Sequence, residues 1–275
     1  MSIDLIVGGT PSTLPETTSS TSSLYSSIAV DYDESYERPT HRRVYDLLAW
    51  EYAQSIALPA NACIVDVGCG TGRWIPRWLE RGHRVIGIEV APGMIAELKA
   101  KSFDGDFALI ESRMEEAVIA PGSVDLVLAL GSVQYAADPE AMIRRFATWL
   151  RPGGAVCLYV DGLKSLVLEL IRDGRQEEAL DRLENRAGLF RDGDHEAPLA
   201  LYDRHTLEAH FAEAGLVDVH CHGLAVAASA LGRTGSTEAM EQDEEAAMDI
   251  ERALSADPAM ADAGLHILAI GFRPL

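Results

Sequence analysis

Long apolar segments and paired cysteines are both missing from this sequence of 275 residues. No run of about 18 apolar residues occurs, so we expect no membrane span. The first residues lack the basic start of a secretory signal. The four cysteines are scattered, without zinc spacing or a disulfide framework: Cys63, Cys69, Cys157 and Cys221. We therefore predict reduced thiols and a cytoplasmic protein.

Positive charge is also scarce, because 23 Lys and Arg face 43 Asp and Glu, which gives a formal net charge of −20. Nucleic-acid binding depends on a basic surface. The composition therefore argues against nucleic acid as the main partner, although a local basic patch for RNA stays open. Hydrophobic residues make up 48% of the chain, which is enough for the core of one large domain.

The N-terminal stretch is rich in Ser, Thr and Pro, and we predict a disordered tail over residues 1–24. Residues 25–275 form the predicted domain, with an N-terminal cap at about 25–53. Short apolar runs then alternate with helical patterns, which predicts parallel strands with helices on both faces of a sheet. The five runs are 63–67, 84–89, 107–110, 124–130 and 155–160.

The alternation is interrupted at about 162–200, where a helical segment is followed by a predicted loop at 190–199. Alternating apolar and polar residues predict an outer strand at 217–222. An acidic helical segment covers 236–263, which we interpret as a solvated face or a subunit contact, so a homo-oligomer stays open. The last apolar run, 265–272, predicts the final strand.

Three glycines follow the first strand within five residues: Gly68, Gly70 and Gly72. Glycine lets the backbone take positive φ or approach a ligand closely. A strand, a glycine turn and a helix N-terminus together predict a nucleotide-sized site. A dinucleotide fingerprint would require glycine at position 73, where this chain has Arg73. The alternative is a tight strand–helix connection without a ligand.

Two further motifs favour a ligand site. Glu89 ends the second strand, 23 residues after Asp66, and the sequence Leu-Arg-Pro-Gly-Gly stands at 150–154 before the fifth strand. In this order the motifs resemble class I S-adenosylmethionine-dependent methyltransferases of the small-molecule type, over about 28–161 and 202–272. The resemblance implies an α/β fold: a Rossmann-like sheet of about seven strands, mostly parallel with an antiparallel final strand, plus a helical lid at 162–200.

The resemblance also implies a cofactor, S-adenosylmethionine, and residues that bind it. In this family the glycine turn lies under the methionine and ribose, the carboxylate after the second strand accepts both ribose hydroxyls, and a tyrosine covers the sulfonium. The family's adenine-binding Asp is replaced here by Arg113, whose side chain cannot accept a hydrogen bond. The implied cofactor residues are Tyr32, Asp66, Gly68, Cys69, Gly70, Gly72, Glu89, Val90, Met94, Arg113, Met114, Leu130 and Gly131.

The acceptor site is expected at the carboxyl ends of the strands, where the candidates are Ser132, Gln134, Tyr135 and Asp161. His195 and His205, beside the lid, are candidate general bases, with ordinary surface histidines as the alternative. Tyr32 is the third candidate catalytic residue. We predict no metal, because His220 and His222 would share a solvated strand face.

The implied activity is methyl transfer from S-adenosylmethionine to O, N or C of a small organic acceptor, with S-adenosylhomocysteine as product. Such an acceptor would be a biosynthetic or secondary-metabolism intermediate. Two alternatives stay open. One is a methyltransferase that acts on RNA or protein, and the other is a non-methylating S-adenosylmethionine-binding protein, including one that catalyses a cyclisation.

Overall fold

Residues 16–275 are described in the computed structural model of the chain, with side chains from Ser20 onward. The strands of this part are β1 Cys63–Val67, β2 Arg84–Glu89, β3 Phe107–Glu111, β4 Val124–Leu130, β5 Leu150–Asp161, β6 Ala187–Asp192, β7 His195–Ala200, β8 Val217–Leu224 and β9 His266–Phe272. Seven of them form one sheet in the order β3-β2-β1-β4-β5-β9-β8, while β6 and β7 form a separate antiparallel hairpin.

The seven-stranded sheet has the predicted topology. Strands β1 to β5 pair in parallel, and β9 runs antiparallel to both of its neighbours. Parallel strands are covered on both faces, which explains why their sequences are apolar almost throughout. The Rossmann-like fold predicted from the sequence is therefore confirmed.

Helices cover both faces of the sheet. They are α1 Glu16–Ser27, α2 Ala29–Tyr32, α3 Glu34–Glu37, α4 His41–Gln54, α5 Ile75–Leu79, α6 Pro92–Ala100, α7 Pro139–Trp149, α8 Leu163–Arg172, α9 Gln176–Asn185, α10 Arg204–Glu213, α11 Val226–Gln242 and α12 Glu244–Ala256. Alternate residues of each strand point to opposite faces. Thus Ile64 packs with Leu48 of α4 and Trp78 of α5, whereas Val65 packs with Phe146 of α7.

The predicted tail is wrong from residue 16 onward, and residues 1–15 lie outside the described part of the chain. Helix α1 occupies Glu16–Ser27, and its Leu24 is fully buried. Tyr25 and Ile28 pack with Ala29 and Met94. The Ser- and Thr-rich composition concealed this helix, because a few apolar residues at helical spacing are enough to anchor it.

The helical segment predicted for the lid is present as two helices, α8 and α9. The loop predicted at 190–199 is instead a β-hairpin. Gly193, at φ +54°, forms the turn of this hairpin. Ala197 and Leu199, in its second strand, are buried. The predicted solvated face of β8 is also only partly present. The ring of His222 stacks on Tyr52, with 4.0 Å between the ring centroids. None of the described helices is long and apolar enough to cross a membrane.

Candidate active site

A cavity of about 750 Å³ opens at the carboxyl ends of β1, β2 and β4. This first cavity brings together most of the predicted cofactor residues, namely Tyr32, Gly68, Gly70, Glu89, Val90, Met94, Arg113, Met114, Leu130 and Gly131. They come from separate strands, and the parallel topology places their ends at one edge of the sheet. The structure therefore assembles these residues around one space.

The glycine turn forms the floor of the first cavity. Gly68 and Gly70 have φ values of +70° and +57°. A Cβ on Gly68 would lie only 2.5 Å from the Cβ of Ser132. The hydroxyl of Ser132 donates a 2.5 Å hydrogen bond to the carbonyl of Val67, so the turn is held close against the end of β4. The absence of side chains keeps main-chain groups exposed to a ligand.

Two predicted residues of the turn do not reach the first cavity. Gly72 faces the opposite way, and a Cβ there would lie 2.9 Å from Cδ1 of Ile75. The Cys69 side chain packs against Gly87 of β2. Both residues fasten the turn to the sheet and to α5. The family pattern marks their positions in sequence, but it does not reveal which way they point.

The carboxylate of Glu89 is fixed by main-chain donors. Its Oε2 accepts the N–H of Gly70 at 2.8 Å, and its Oε1 accepts those of Val90 and Ala91, each at 2.8 Å. Burial raises the pKa of Glu89, while these three hydrogen bonds oppose the rise. A carboxylate offers about four acceptor positions, so about one is left for a ligand. The predicted acceptance of two ribose hydroxyls stays a prediction.

Asp66 lies at the end of β1 and is 5% exposed. It lines a smaller space of about 380 Å³ that adjoins the glycine turn, together with Tyr32, Tyr36 and Arg73. Burial raises the pKa of Asp66 to about 7, and the negative charge of Glu89 adds to this rise. The carboxyl therefore changes its charge near neutral pH, next to the place where the resemblance puts the methionine end of the cofactor.

Beyond β3, Arg113 forms part of the wall of the first cavity. Arg113 is 7% exposed. Its Nε lies 3.4 Å from Oε2 of Glu115, yet it makes no hydrogen bond within the described residues. A buried N–H without an acceptor is costly. The arginine is therefore suited to donate to a ring nitrogen of a base.

Helix α1 forms the roof of the first cavity, and sequence reasoning missed it. Thr21, Ser22 and Tyr25 line the space from above. The N–H of Gly93 in α6 donates to Oγ of Ser26 at 3.1 Å. A Cβ on Gly93 would lie 2.5 Å from the carbonyl oxygen of Ser26, so the glycine permits this close approach. The spacing of Leu24, Tyr25 and Ile28 was the signal that could have revealed the helix.

A second cavity of about 480 Å³ adjoins the first. The two share Tyr25, Tyr32, Leu130, Gly131 and Tyr135. Other aromatic residues of the second cavity are Tyr36, Tyr45, Tyr159 and Phe190. Phe190 belongs to the β6–β7 hairpin, and its ring centroid lies 6.1 Å from that of Tyr25. Helix α1 and the hairpin thus both contribute to the wall of this cavity.

The tyrosine hydroxyls are joined in two groups. Tyr36 lies 3.2 Å from both Tyr32 and Tyr45, measured between hydroxyl oxygens. The hydroxyl of Tyr25 donates to that of Tyr135 at 3.1 Å. Burial raises the pKa of Tyr25, Tyr32 and Tyr45 well above the ordinary value. These phenols are therefore neutral at physiological pH.

Polar groups occupy one side of the second cavity. Nε2 of Gln134 donates to Oδ2 of Asp161 at 2.9 Å, and Nδ1 of His266 lies 3.5 Å from Oδ1 of Asp161. Burial lowers the pKa of His266, and its other neighbours include Asp161, which raises the pKa, and Arg42, which lowers it. Gln134 and Asp161 were predicted here from the strand ends. His266 and Arg42 were missed, because each comes from a distant part of the chain.

The predicted general bases are not at the site. His195 begins β7 and His205 lies in the first turn of α10; both are exposed, and neither lines either cavity. The hairpin places His195 beside its own turn, opposite Asp192. Tyr202, which lies between the two histidines in the sequence, is buried in the core. Within residues 16–275, no three His, Cys, Asp or Glu side chains cluster as metal ligands.

Comparison with known proteins relates part of the chain to a described family. Residues 65–158 match a family described as a methyltransferase domain. The ubiquinone biosynthesis O-methyltransferase of Xanthomonas axonopodis pv. citri (strain 306) is 31% identical over 111 residues, which cover 39% of this chain and 46% of that protein. The chain thus spans about half the length of the curated relatives it matches.

Solved structures share the fold. An S-adenosylmethionine-dependent methyltransferase from Listeria monocytogenes, described as putative, superposes with a TM-score of 0.57 at 17% identity, over 82% of this chain and 98% of that one. The [4+2]-cyclase SpnF superposes with a TM-score of 0.60 at 15% identity, over 98% of this chain and 100% of its own. At such identities the likeness concerns the fold alone.

Proposed function

We propose that this chain, which has the class I S-adenosylmethionine-dependent methyltransferase fold and a methyltransferase domain over residues 65–158, transfers a methyl group from S-adenosylmethionine to a small organic acceptor. One observation carries the proposal. The first cavity holds ten of the predicted cofactor residues, and it shares a wall with a second cavity. Two adjoining cavities are what a donor and an acceptor require.

The residues of the first cavity suit the cofactor. Glu89 keeps about one acceptor position for a ribose hydroxyl, and the orphaned Nε of Arg113 suits a nitrogen of adenine. Asp66, together with the main chain at Leu130 and Gly131, would hold the methionine ammonium. When bound, the cofactor supplies an electrophilic methyl group on a sulfonium.

The chain's own contribution is alignment and exclusion of water. Tyr32 stands in the wall between the two cavities, where its ring face stabilises a nearby cation. A proton released by the acceptor can pass to Asp161 or to His266, whose lowered pKa keeps it neutral at pH 7. This pair replaces His195 and His205 as the candidate proton acceptor.

Two alternatives differ in the acceptor or in the reaction. A methyltransferase for RNA or protein needs a basic cleft, whereas the second cavity here is mostly aromatic, and Arg42 is the one Lys or Arg among its described lining residues. A protein that binds the cofactor without methyl transfer would use the same first cavity, so it has to be separated by experiment.

The test measures binding and transfer in turn. Calorimetry should detect S-adenosylhomocysteine binding, and Glu89→Gln should weaken it by about tenfold or more, as expected for a charged hydrogen bond. Glu111→Gln is the matched control. Glu111 ends the neighbouring strand in register with Glu89 but pairs with Lys99 at the surface, so the affinity should stay unchanged.

Radiolabelled S-adenosylmethionine is then incubated with the protein and a metabolite extract. Label in small molecules supports the proposal, and label in RNA or protein favours the first alternative. Binding without transfer favours the second alternative. Binding of NAD in place of S-adenosylhomocysteine would exclude the whole assignment.

A further inference from the structure

We propose that the acceptor is a small zwitterion whose amine lies against Asp161 and Gln134 and whose carboxylate lies against Arg42. The inference rests on the proposed function, because it takes the second cavity as the acceptor site. It is carried by two opposite charges that face this cavity and have no charged partner of their own within the described residues.

The first charge is the carboxylate of Asp161. Its oxygens contact the amide of Gln134 and the imidazole of His266. Neither group offsets the negative charge at neutral pH, because burial lowers the pKa of His266. Across residues 16–275, Asp161 forms no ion pair with Lys or Arg. A carboxylate that is two-thirds covered, with 31% of its side chain exposed, therefore has room for a cation.

The second charge is the guanidinium of Arg42, in the first turn of α4. Its Nη1 donates to the hydroxyl of Ser35 at 3.1 Å, and its centre lies 5.6 Å from the ring centroid of Tyr36. No carboxylate of the described part of the chain pairs with it, and Asp161 does not reach it either. A guanidinium without a carboxylate partner is suited to bind the carboxylate of a ligand.

Gln134 adds a requirement for a hydrogen-bond donor on the acceptor molecule. The residue is 3% exposed; its Nε2 is used by Asp161, and its Oε1 has no hydrogen-bond partner in the described chain. A buried carbonyl oxygen of this kind needs a donor. An amine supplies one hydrogen to Gln134 and another to Asp161, whereas a carboxylate supplies none.

The positions of the two charges orient the acceptor. Gln134 follows Gly131 in the turn after β4, and Asp161 ends β5. Both therefore stand at the strand ends beside the wall shared with the first cavity, so the amine is the group that is methylated.

In the reaction, the amine first gives a proton to Asp161. Its nitrogen lone pair then forms the N–C bond as the S–C bond breaks, and the sulfur keeps that electron pair.

The remaining walls of the second cavity suit the uncharged part of the acceptor. They are mostly tyrosine faces and Phe190, which favour an aromatic or aliphatic group and also stabilise an ammonium.

The first experiment reads the charge of the product. Labelled product from the metabolite extract is separated by electrophoresis at about pH 2, 6.5 and 11, which bracket the ordinary pKa values of carboxyl and amino groups. A zwitterionic product moves to the cathode at the lowest pH, stays near the origin at the middle one and moves to the anode at the highest. A purely cationic, anionic or uncharged product overturns the inference but leaves the proposed function intact.

The second experiment removes the carboxylate partner. Arg42→Gln should lower transfer to the extract at limiting acceptor by about tenfold or more, with unchanged affinity for S-adenosylhomocysteine, and Arg42→Lys should restore part of it. Arg43→Gln is the control, since Arg43 is paired with Glu244 and does not line the second cavity. Unchanged transfer by Arg42→Gln would overturn the inference. Loss of S-adenosylhomocysteine binding by the wild type, or binding with no transfer, would instead contradict the proposed function.

Discussion

At the scale of single residues, Asp66 links the cofactor cavity to pH. Burial and the nearby charge of Glu89 raise its pKa from 3.8 to about 7. The carboxyl is therefore mostly neutral below pH 7 and charged above it. A bound ammonium favours the charged form, so binding at lower pH must first remove a proton from Asp66.

We expect the affinity for S-adenosylhomocysteine to rise between about pH 5.5 and 7.5, by up to about tenfold per pH unit below 7 for one linked proton. Asp66→Asn should weaken binding at pH 7.5 and flatten the profile. Calorimetry in buffers of different ionisation heat should detect proton release on binding to the wild type at pH 6. A wild-type profile as flat as that of Asp66→Asn would contradict the role of this carboxyl.

At the scale of elements, the contact between α1 and α6 controls the roof of the first cavity. Gly93→Val would place side-chain atoms where the Ser26 backbone now lies, and α1 would have to move away. We expect a several-fold loss of S-adenosylhomocysteine affinity and faster hydrogen exchange in α1. Ala96→Val places the same β-branched side chain at an exposed position of the same helix and should change neither quantity. Equal effects of the two substitutions would rule out a specific role of the contact.

The elements also explain how far sequence reasoning reached. Strands β1 to β5 were predictable because buried parallel strands carry apolar runs. Gln134 and Asp161 followed from them, since parallel strand ends meet at one edge. Helix α1 was missed because its few apolar residues stand among Ser and Thr. The pairing of Asp161 with His266 was missed because β9 lies 105 residues further along the chain and its antiparallel register with β5 is a property of the assembled sheet.

At the scale of the whole molecule, buried carboxyls and the net charge act in the same direction. Burial raises the pKa of Asp66, Glu89 and Glu251, although main-chain N–H groups of Val226 and Ala228 partly stabilise the Glu251 charge. A raised carboxyl pKa means that the folded state binds more protons than the unfolded state between the two values. The free energy of unfolding therefore falls as the pH rises through this window.

We expect the melting temperature of the ligand-free protein to be higher at pH 5.5 than at pH 7.5. Burial lowers the pKa of His41 to about 4 and also lowers that of His266, which acts in the opposite direction and reduces the difference. High salt should reduce the part of this difference that comes from repulsion among the excess negative charges. Asp66→Asn should reduce the part that comes from Asp66. Asp203, whose pKa is lowered to about 2, stabilises the fold at neutral pH. This contribution is lost only as the pH falls below about 4. A melting temperature that rises towards pH 7.5 would contradict this account.

Tyr25 belongs to both cavities at once: it lies in the roof helix of the first, and its hydroxyl meets Tyr135 in the wall of the second. Lifting α1 to exchange the cofactor therefore also removes part of the wall around the acceptor. Such a movement of α1 would therefore loosen both binding spaces at once. We accordingly expect distributive turnover, in which the acceptor leaves after a single methylation and must return for a second.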